Sequence, residues 1–179
     1  MELEGIILDI DYIMLGERGI IRFALKTGEK VYELIDKSFY PYFYLIPAND
    51  RISKEMLASF EIPEAKVRQV EEKRAYLFGK EVRVFQIFTD NPRNIPALSE
   101  AMREFGECYE HDIVFWKRYI IDKDISPLKG VKVSAHEEDG RLIVDNIESV
   151  SLNEIALSHV SFDIETYNPK GVPRQRRIP

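Results

Sequence analysis

Short runs of β-branched and apolar residues, each closed by a Gly- or Pro-containing turn, recur along the chain and restrict its fold more than any other feature. Residues 3–12 (LEGIILDIDY) and 20–25 (IIRFAL) flank Gly16-Glu17-Arg18-Gly19, a hairpin signal. Residues 29–36 and 38–46 supply two further strands, and Pro41 inside the second marks an edge or a bend. Residues 66–73 and 80–88 read as strands around Gly79, and residues 131–136 and 141–146 as a hairpin through Asp139-Gly140. Residues 52–59 read as a short helix, and 95–104 have helical spacing. In the latter Ile95, Leu98 and Met102 share a face, Asn94 is placed to cap, and Gly106 ends the helix. Residues 113–121 (IVFWKRYII) are a dense aromatic and apolar run broken by Lys117 and Arg118. Hairpin-linked strands with interspersed helices and no repeated βαβ unit predict an α+β fold on a mixed, mostly antiparallel sheet.

One cysteine, Cys108, excludes an intramolecular disulfide framework and reads as a small buried hydrophobe. The opening MELEGIILDIDY has neither a basic n-region nor a small-residue cleavage site, and no apolar run approaches the roughly 18 residues of a membrane helix. A cytoplasmic location without a membrane partner is therefore expected. A net charge of −6 argues against a protein that coats polyanions over its whole surface. The charge is uneven, however: residues 170–179 carry Lys170, Arg174, Arg176 and Arg177 with no acid, so a local basic groove is not excluded. His111, His136 and His159 lack ligand-like spacing and read as structural or surface residues.

The sharpest chemical signal is Phe162-Asp163-Ile164-Glu165-Thr166, at the end of a predicted buried strand over 158–165. Residues two apart in a strand leave the same face, so Asp163 and Glu165 project together while Phe162 and Ile164 enter the core. Adjacent carboxylates repel unless a cation lies between them. Phosphodiester-cleaving sites hold Mg²⁺ or Mn²⁺ on such hard oxygens. A bare Asp-x-Glu is ordinarily a solvent face; here the apolar approach and the position at the strand's end favour a metal-binding reading. Two carboxylates do not complete a two-metal nuclease, so no catalysis by this chain alone is expected.

HVSFDIET at 159–166 resembles the first exonuclease motif of family B DNA polymerases. IILDIDY at 6–12, FYPYFYLI at 39–46, NPRNIPAL at 91–98 and HDIVFWKRYIIDK at 111–123 resemble, in order, the N-terminal domain of archaeal members. The resemblance implies that residues 1–130 form that domain, with an RNA-recognition-like portion. Residues 131–179 would begin an incomplete 3′–5′ exonuclease domain of RNase-H-like fold, with Asp163 and Glu165 as its first catalytic carboxylates and metal ligands. It implies Mg²⁺ or Mn²⁺ as cofactor in the complete protein, a role in DNA replication, and single-stranded template DNA and the remainder of the polymerase as partners. A lone exonuclease strand is also an edge that invites dimers.

The same resemblance implies a pocket that captures template uracil, formed by Tyr12, Pro41, Tyr42, Pro92, Ile95, Ile113, Val114 and Phe115, with Arg118 near phosphate. Backbone amides at Tyr42 and Ile113 would read the base edge, and Tyr12 packed on Pro41 would exclude the thymine methyl. A fixed N–H pairs with O4 of uracil and is left unpaired by cytosine. Ser99 stands where the archaeal pattern usually has Arg, removing a polar brace, and Val114 where it usually has Pro, freeing a backbone N–H. Phe43, Phe85 and Phe88 read as core. The alternatives to a template-binding module are a minimal metal-dependent 3′–5′ nuclease and a non-catalytic scaffold.

Overall fold

A computed structural model of the protein describes residues 1–28, 30–152, 157 and 160–163. In chain order its elements are β1 (Glu2–Leu15), β2 (Arg18–Thr27), β3 (Lys30–Asp36), β4 (Tyr42–Pro47), α1 (Lys54–Ala58), β5 (Glu61–Ile62), β6 (Ala65–Lys66), β7 (Gln69–Leu77) and β8 (Lys80–Phe88). They continue with α2 (Ile95–Ala101), β9 (Gly106–Tyr109), α3 (Phe115–Asp122), β10 (Gly130–Glu138) and β11 (Arg141–Ser149). The described chain is thus mostly β with few helices, fewer than the expected α+β fold implies.

Two sheets dominate. The first is a closed barrel in the order β1-β10-β11-β3-β2; its pairings are antiparallel except for β11 with β3, which is parallel. The β1–β2 turn uses Gly16 at φ 61°, a conformation a side chain would resist. Leu3, Ile7, Phe23, Leu25, Leu34, Val131, Val133 and Ile147 fill the interior, and α3 adds Phe115 and Tyr119 to the same cluster. Each such side chain contributes about 1.5–3 kcal/mol of burial. The Tyr119 hydroxyl donates to Asp36 at 2.9 Å, and Ser38 donates to the same carboxylate from its backbone N–H (2.7 Å) and hydroxyl (2.6 Å). Asp36 therefore keeps its hydrogen bonds although it is buried.

The second sheet has the order β7-β8-β4-β9. Phe43, Leu45, Val70, Phe85 and Ile87 face Leu57 of α1 and Ile95 and Leu98 of α2, which explains the alternation of these strands. Several contacts join the sheets. Tyr40, in the β3–β4 link, lies between the guanidinium groups of Arg18 and Arg68, each 4.0 Å from its ring centre. The Gly19 N–H donates to the Asp90 carbonyl at 2.9 Å, and Arg68 pairs with the Asp90 carboxylate at 2.7 Å.

Several local expectations are corrected. Pro41 precedes β4 instead of lying within it, because a proline cannot donate to the ladder. Asn94 makes no side-chain cap; Asn91 accepts from the Arg93 N–H at 3.0 Å and starts a 3-10 turn, Pro92–Asn94, that leads into α2. The aromatic run at 113–121, for which the sequence named no element, is largely helix α3. Pairing of β1 with β10 gives the barrel residues on both sides of position 130. Residues 160–163 lie in no strand, and Val160 and Phe162 are 82% and 85% exposed, so the buried strand expected there is absent over these residues.

Candidate nucleic-acid interface

At the junction of the two sheets, three separate segments enclose a cavity of about 240 Å³. Tyr12 comes from β1, Pro92, Arg93, Ile95 and Pro96 from the turn into α2, and His111 to Phe115 from the loop and first residue of α3. Six of the eight residues expected in a base pocket therefore meet here: Tyr12, Pro92, Ile95, Ile113, Val114 and Phe115. The Tyr12 and Phe115 rings pack edge-on at 5.7 Å. Phe39 stacks beneath Phe115 at 5.7 Å and meets Tyr119 edge-on at 5.1 Å, giving the wall a rigid aromatic backing.

Gly19 is what lets these walls approach. A Cβ there would lie 2.4 Å from Pro92 Cδ and 3.5 Å from the Phe115 ring. Val114, 45% exposed at the mouth, has φ −59° and ψ 138° and makes no side-chain cap on α3. Backbone N–H groups in the first turn of α3 thus lack a side-chain acceptor beside the cavity. The Ile113 N–H is partly engaged, donating to the Glu110 carbonyl at 3.4 Å.

Pro41, Tyr42 and Arg118 do not line the cavity. Pro41 is buried, and its carbonyl accepts from the Thr89 N–H at 3.0 Å. The Tyr42 hydroxyl donates to Asp122 at 2.6 Å; burial first, then this hydrogen bond, pushes its pKa well above the ordinary tyrosine value. Arg118 lies over the Tyr42 ring at 4.9 Å, pairs with Glu110 and stands 3.8 Å from Asp122. It is 5% exposed, so it is spent on internal ion pairs instead of facing phosphate. Burial works against its charge, but Tyr42, Glu110 and Asp122 outweigh that and raise its pKa.

Sequence reasoning missed Phe39, Arg93, Pro96, His111 and Asp112 at this site. Arg93, Pro96 and Asp112 adjoin residues it did name, so contiguity alone was a usable signal. Ser99 is buried and donates to the Pro96 carbonyl at 3.1 Å, closing α2's first turn from within. Cys108 donates to the Ser99 carbonyl at 3.3 Å, and burial pushes its thiol pKa up to about 11. Of the carboxylate pair, Asp163 is exposed and Glu165 lies outside the described residues. Among the described residues no group of three or more His, Cys, Asp or Glu is placed to hold a metal ion. No described helix is long and apolar enough to cross a membrane.

No protein-family profile matches the chain. Among curated proteins it is 27% identical over 180 residues to a DNA polymerase of Archaeoglobus fulgidus, covering 98% of this chain and 23% of that protein. It is 32% identical over 151 residues to a DNA polymerase of Thermococcus kodakarensis, covering 80% of this chain and 9% of the other. A solved family B DNA polymerase from Pyrobaculum calidifontis superposes with a TM-score of 0.73 at 26% identity, covering 85% of this chain and 21% of that one. The chain thus spans less than a quarter of the length of these relatives. Over most of its length it is related to the N-terminal part of archaeal family B DNA polymerases.

Proposed function

We propose that this chain is the template-binding N-terminal part of a DNA polymerase acting in DNA replication, and that its junction cavity captures an unpaired template base, uracil by preference. The observation that carries this reading is the convergence of Tyr12, Pro92, Ile95, Ile113, Val114 and Phe115 in one cavity from segments far apart in sequence. Apolar rings and prolines among the walls reject bulk, and uncapped amides at the start of α3 offer donors to a base carbonyl. Uracil lacks the methyl that would meet these walls in thymine. Cytosine has an amino group where uracil has an acceptor, so a buried donor facing it would go unpaired. A base must leave its stack to enter, which costs least in single-stranded template.

The same reading keeps Asp163 and Glu165 as the first ligands of Mg²⁺ or Mn²⁺ in an RNase-H-like exonuclease unit following the barrel, completed by further carboxylates. Their hard oxygens suit either ion. It treats the second sheet, with four antiparallel strands and helices on one face, as the RNA-recognition-like portion. It also takes the remainder of the polymerase as partner and the cytoplasm as location. The test is titration of labelled oligonucleotides carrying U, T or C at one position. Tighter binding of the U strand is expected, and discrimination by one methyl is limited to roughly 10- to 200-fold. Equal affinity for all three removes base capture while sparing template binding.

A further inference from the structure

The second sheet turns only one face to its helices. On the other face Tyr44, Ile46, Val82, Val84 and Tyr109 line an open groove of about 280 Å³ that reaches the β7–β8 hairpin. Residues 73–80 at that hairpin read Lys-Arg-Ala-Tyr-Leu-Phe-Gly-Lys, with three cations and no acid. Tyr76 is 77% exposed and Phe78 95% exposed.

The turn itself is unusual for its sequence. Phe78 and Gly79 have φ 48° and 78°, and in the β10–β11 hairpin Asp139 and Gly140 have φ 51° and 72°. Two successive left-handed residues make the hairpin turn that Asp-Gly and Asn-Gly favour. The second hairpin follows that preference. The first instead places a bulky aromatic in a backbone conformation it resists and leaves its ring in water. Neither turn geometry nor core packing accounts for that choice. Exposed rings flanked by cations are how proteins hold single strands: bases stack on the rings and phosphates meet the charges.

We propose that the β7–β8 tip and the adjoining groove hold single-stranded DNA, with Tyr76 and Phe78 stacking on bases and Lys73, Arg74 and Lys80 meeting phosphates. Lys73 lies 3.2 Å from Glu71 and Arg74 3.8 Å from Glu81, pairs exposed enough to exchange for phosphate. The acid lining the groove, Glu110, is already paired with Arg118. The groove adjoins the base cavity: Tyr109 and Glu110 line one, and His111 to Ile113 line the other. A strand with one base in the cavity would lay its neighbours along the sheet. The inference extends the template-binding reading but does not need the cavity to prefer uracil.

The test uses the 179-residue chain, labelled oligothymidylate with or without one uracil, and two variants. Phe78→Asn installs Asn-Gly, so it is expected to raise the melting temperature while lowering DNA affinity about tenfold, the effect of one unstacked base. Opposite signs separate a missing stacking platform from a damaged fold. The triple Lys73→Gln, Arg74→Gln, Lys80→Gln variant is expected to flatten log affinity against log salt by about 0.7 for each phosphate no longer neutralised. Both variants should keep the uracil-to-thymine ratio of the unaltered chain. A ratio of one in every protein, with both variants still weakened as expected, sinks base capture alone. Wild-type affinity in Phe78→Asn overturns the proposal and gives the tip to a protein partner. Failure of the unaltered chain to bind any oligonucleotide overturns it too.

Discussion

Gly19→Ala tests whether the cavity depends on the close approach of the β1–β2 hairpin to the turn before α2. The new methyl would sit 2.4 Å from Pro92 Cδ and 3.0 Å from Pro92 Cγ, whereas an ordinary contact begins at 3.4 Å. Pro92 must therefore retreat by about 1 Å, and its ring is tied to the backbone, so the turn moves with it. Overpacking of this kind costs about 1–3 kcal/mol. The retreat also strains the 2.9 Å hydrogen bond from the Gly19 N–H to the Asp90 carbonyl. Urea unfolding should show a lower midpoint at unchanged slope. Pro92 is a cavity wall, so a wider cavity should admit thymine more readily and lower the uracil-to-thymine affinity ratio. Gly16→Ala is the control: it has nothing within 4 Å, and its φ of 61° makes it costly for backbone reasons alone. It should lose stability and keep the ratio. A Gly19→Ala protein as stable and as selective as the parent would refute the reasoning.

Two tyrosines make a pH prediction. Burial and hydrogen bonds to carboxylates raise the pKa of Tyr42 and Tyr119 above the ordinary value of 10.0. The folded state therefore favours their neutral form. Their contribution to stability is complete below pH 10 and falls as pH rises above it. Ultraviolet titration should show both ionising only as the protein unfolds; smooth ionisation of all nine tyrosines near pH 10 would contradict this burial. Val114→Pro should be accepted, because φ −59° already matches the proline ring and α3 starts at the next residue. It should gain about 0.4–1 kcal/mol by restricting the unfolded chain, and a clear loss in a thermal melt would show the Val114 N–H to be needed.

Hairpins were legible because their signals are local: an alternating run, a left-handed glycine, a second alternating run. Gly16, Gly79 and Gly140 each mark a turn. Barrel closure was not, since β1 pairs with β10 across more than a hundred residues and no local pattern records it. Helix α3 was hidden by composition. Its β-branched and aromatic residues read equally as strand, and the helical mark, Phe115 and Tyr119 four apart on one buried face, is only one turn long. At the site, the apolar positions that sequence order suggested, Tyr12, Pro92, Ile95, Ile113, Val114 and Phe115, share one cavity. The burial of Arg118 was not legible, because its partner Glu110 sits at φ 58°, a bend that only the folded chain reveals.

The barrel's seam sets a schedule for synthesis. The first three strands are complete by Asp36, yet their neighbours end only at Ser149, and the amino group of Met1 itself donates to the Ala135 carbonyl. At roughly 5–20 residues per second, a ribosome leaves β1 and β3 with bare edges for about 6–20 seconds. During that interval the second sheet, whose strands lie wholly within residues 42–109, can fold first and stand beside the waiting hairpin. Nascent chains halted between these points should bind chaperones that recognise open strand edges and release them once β11 emerges.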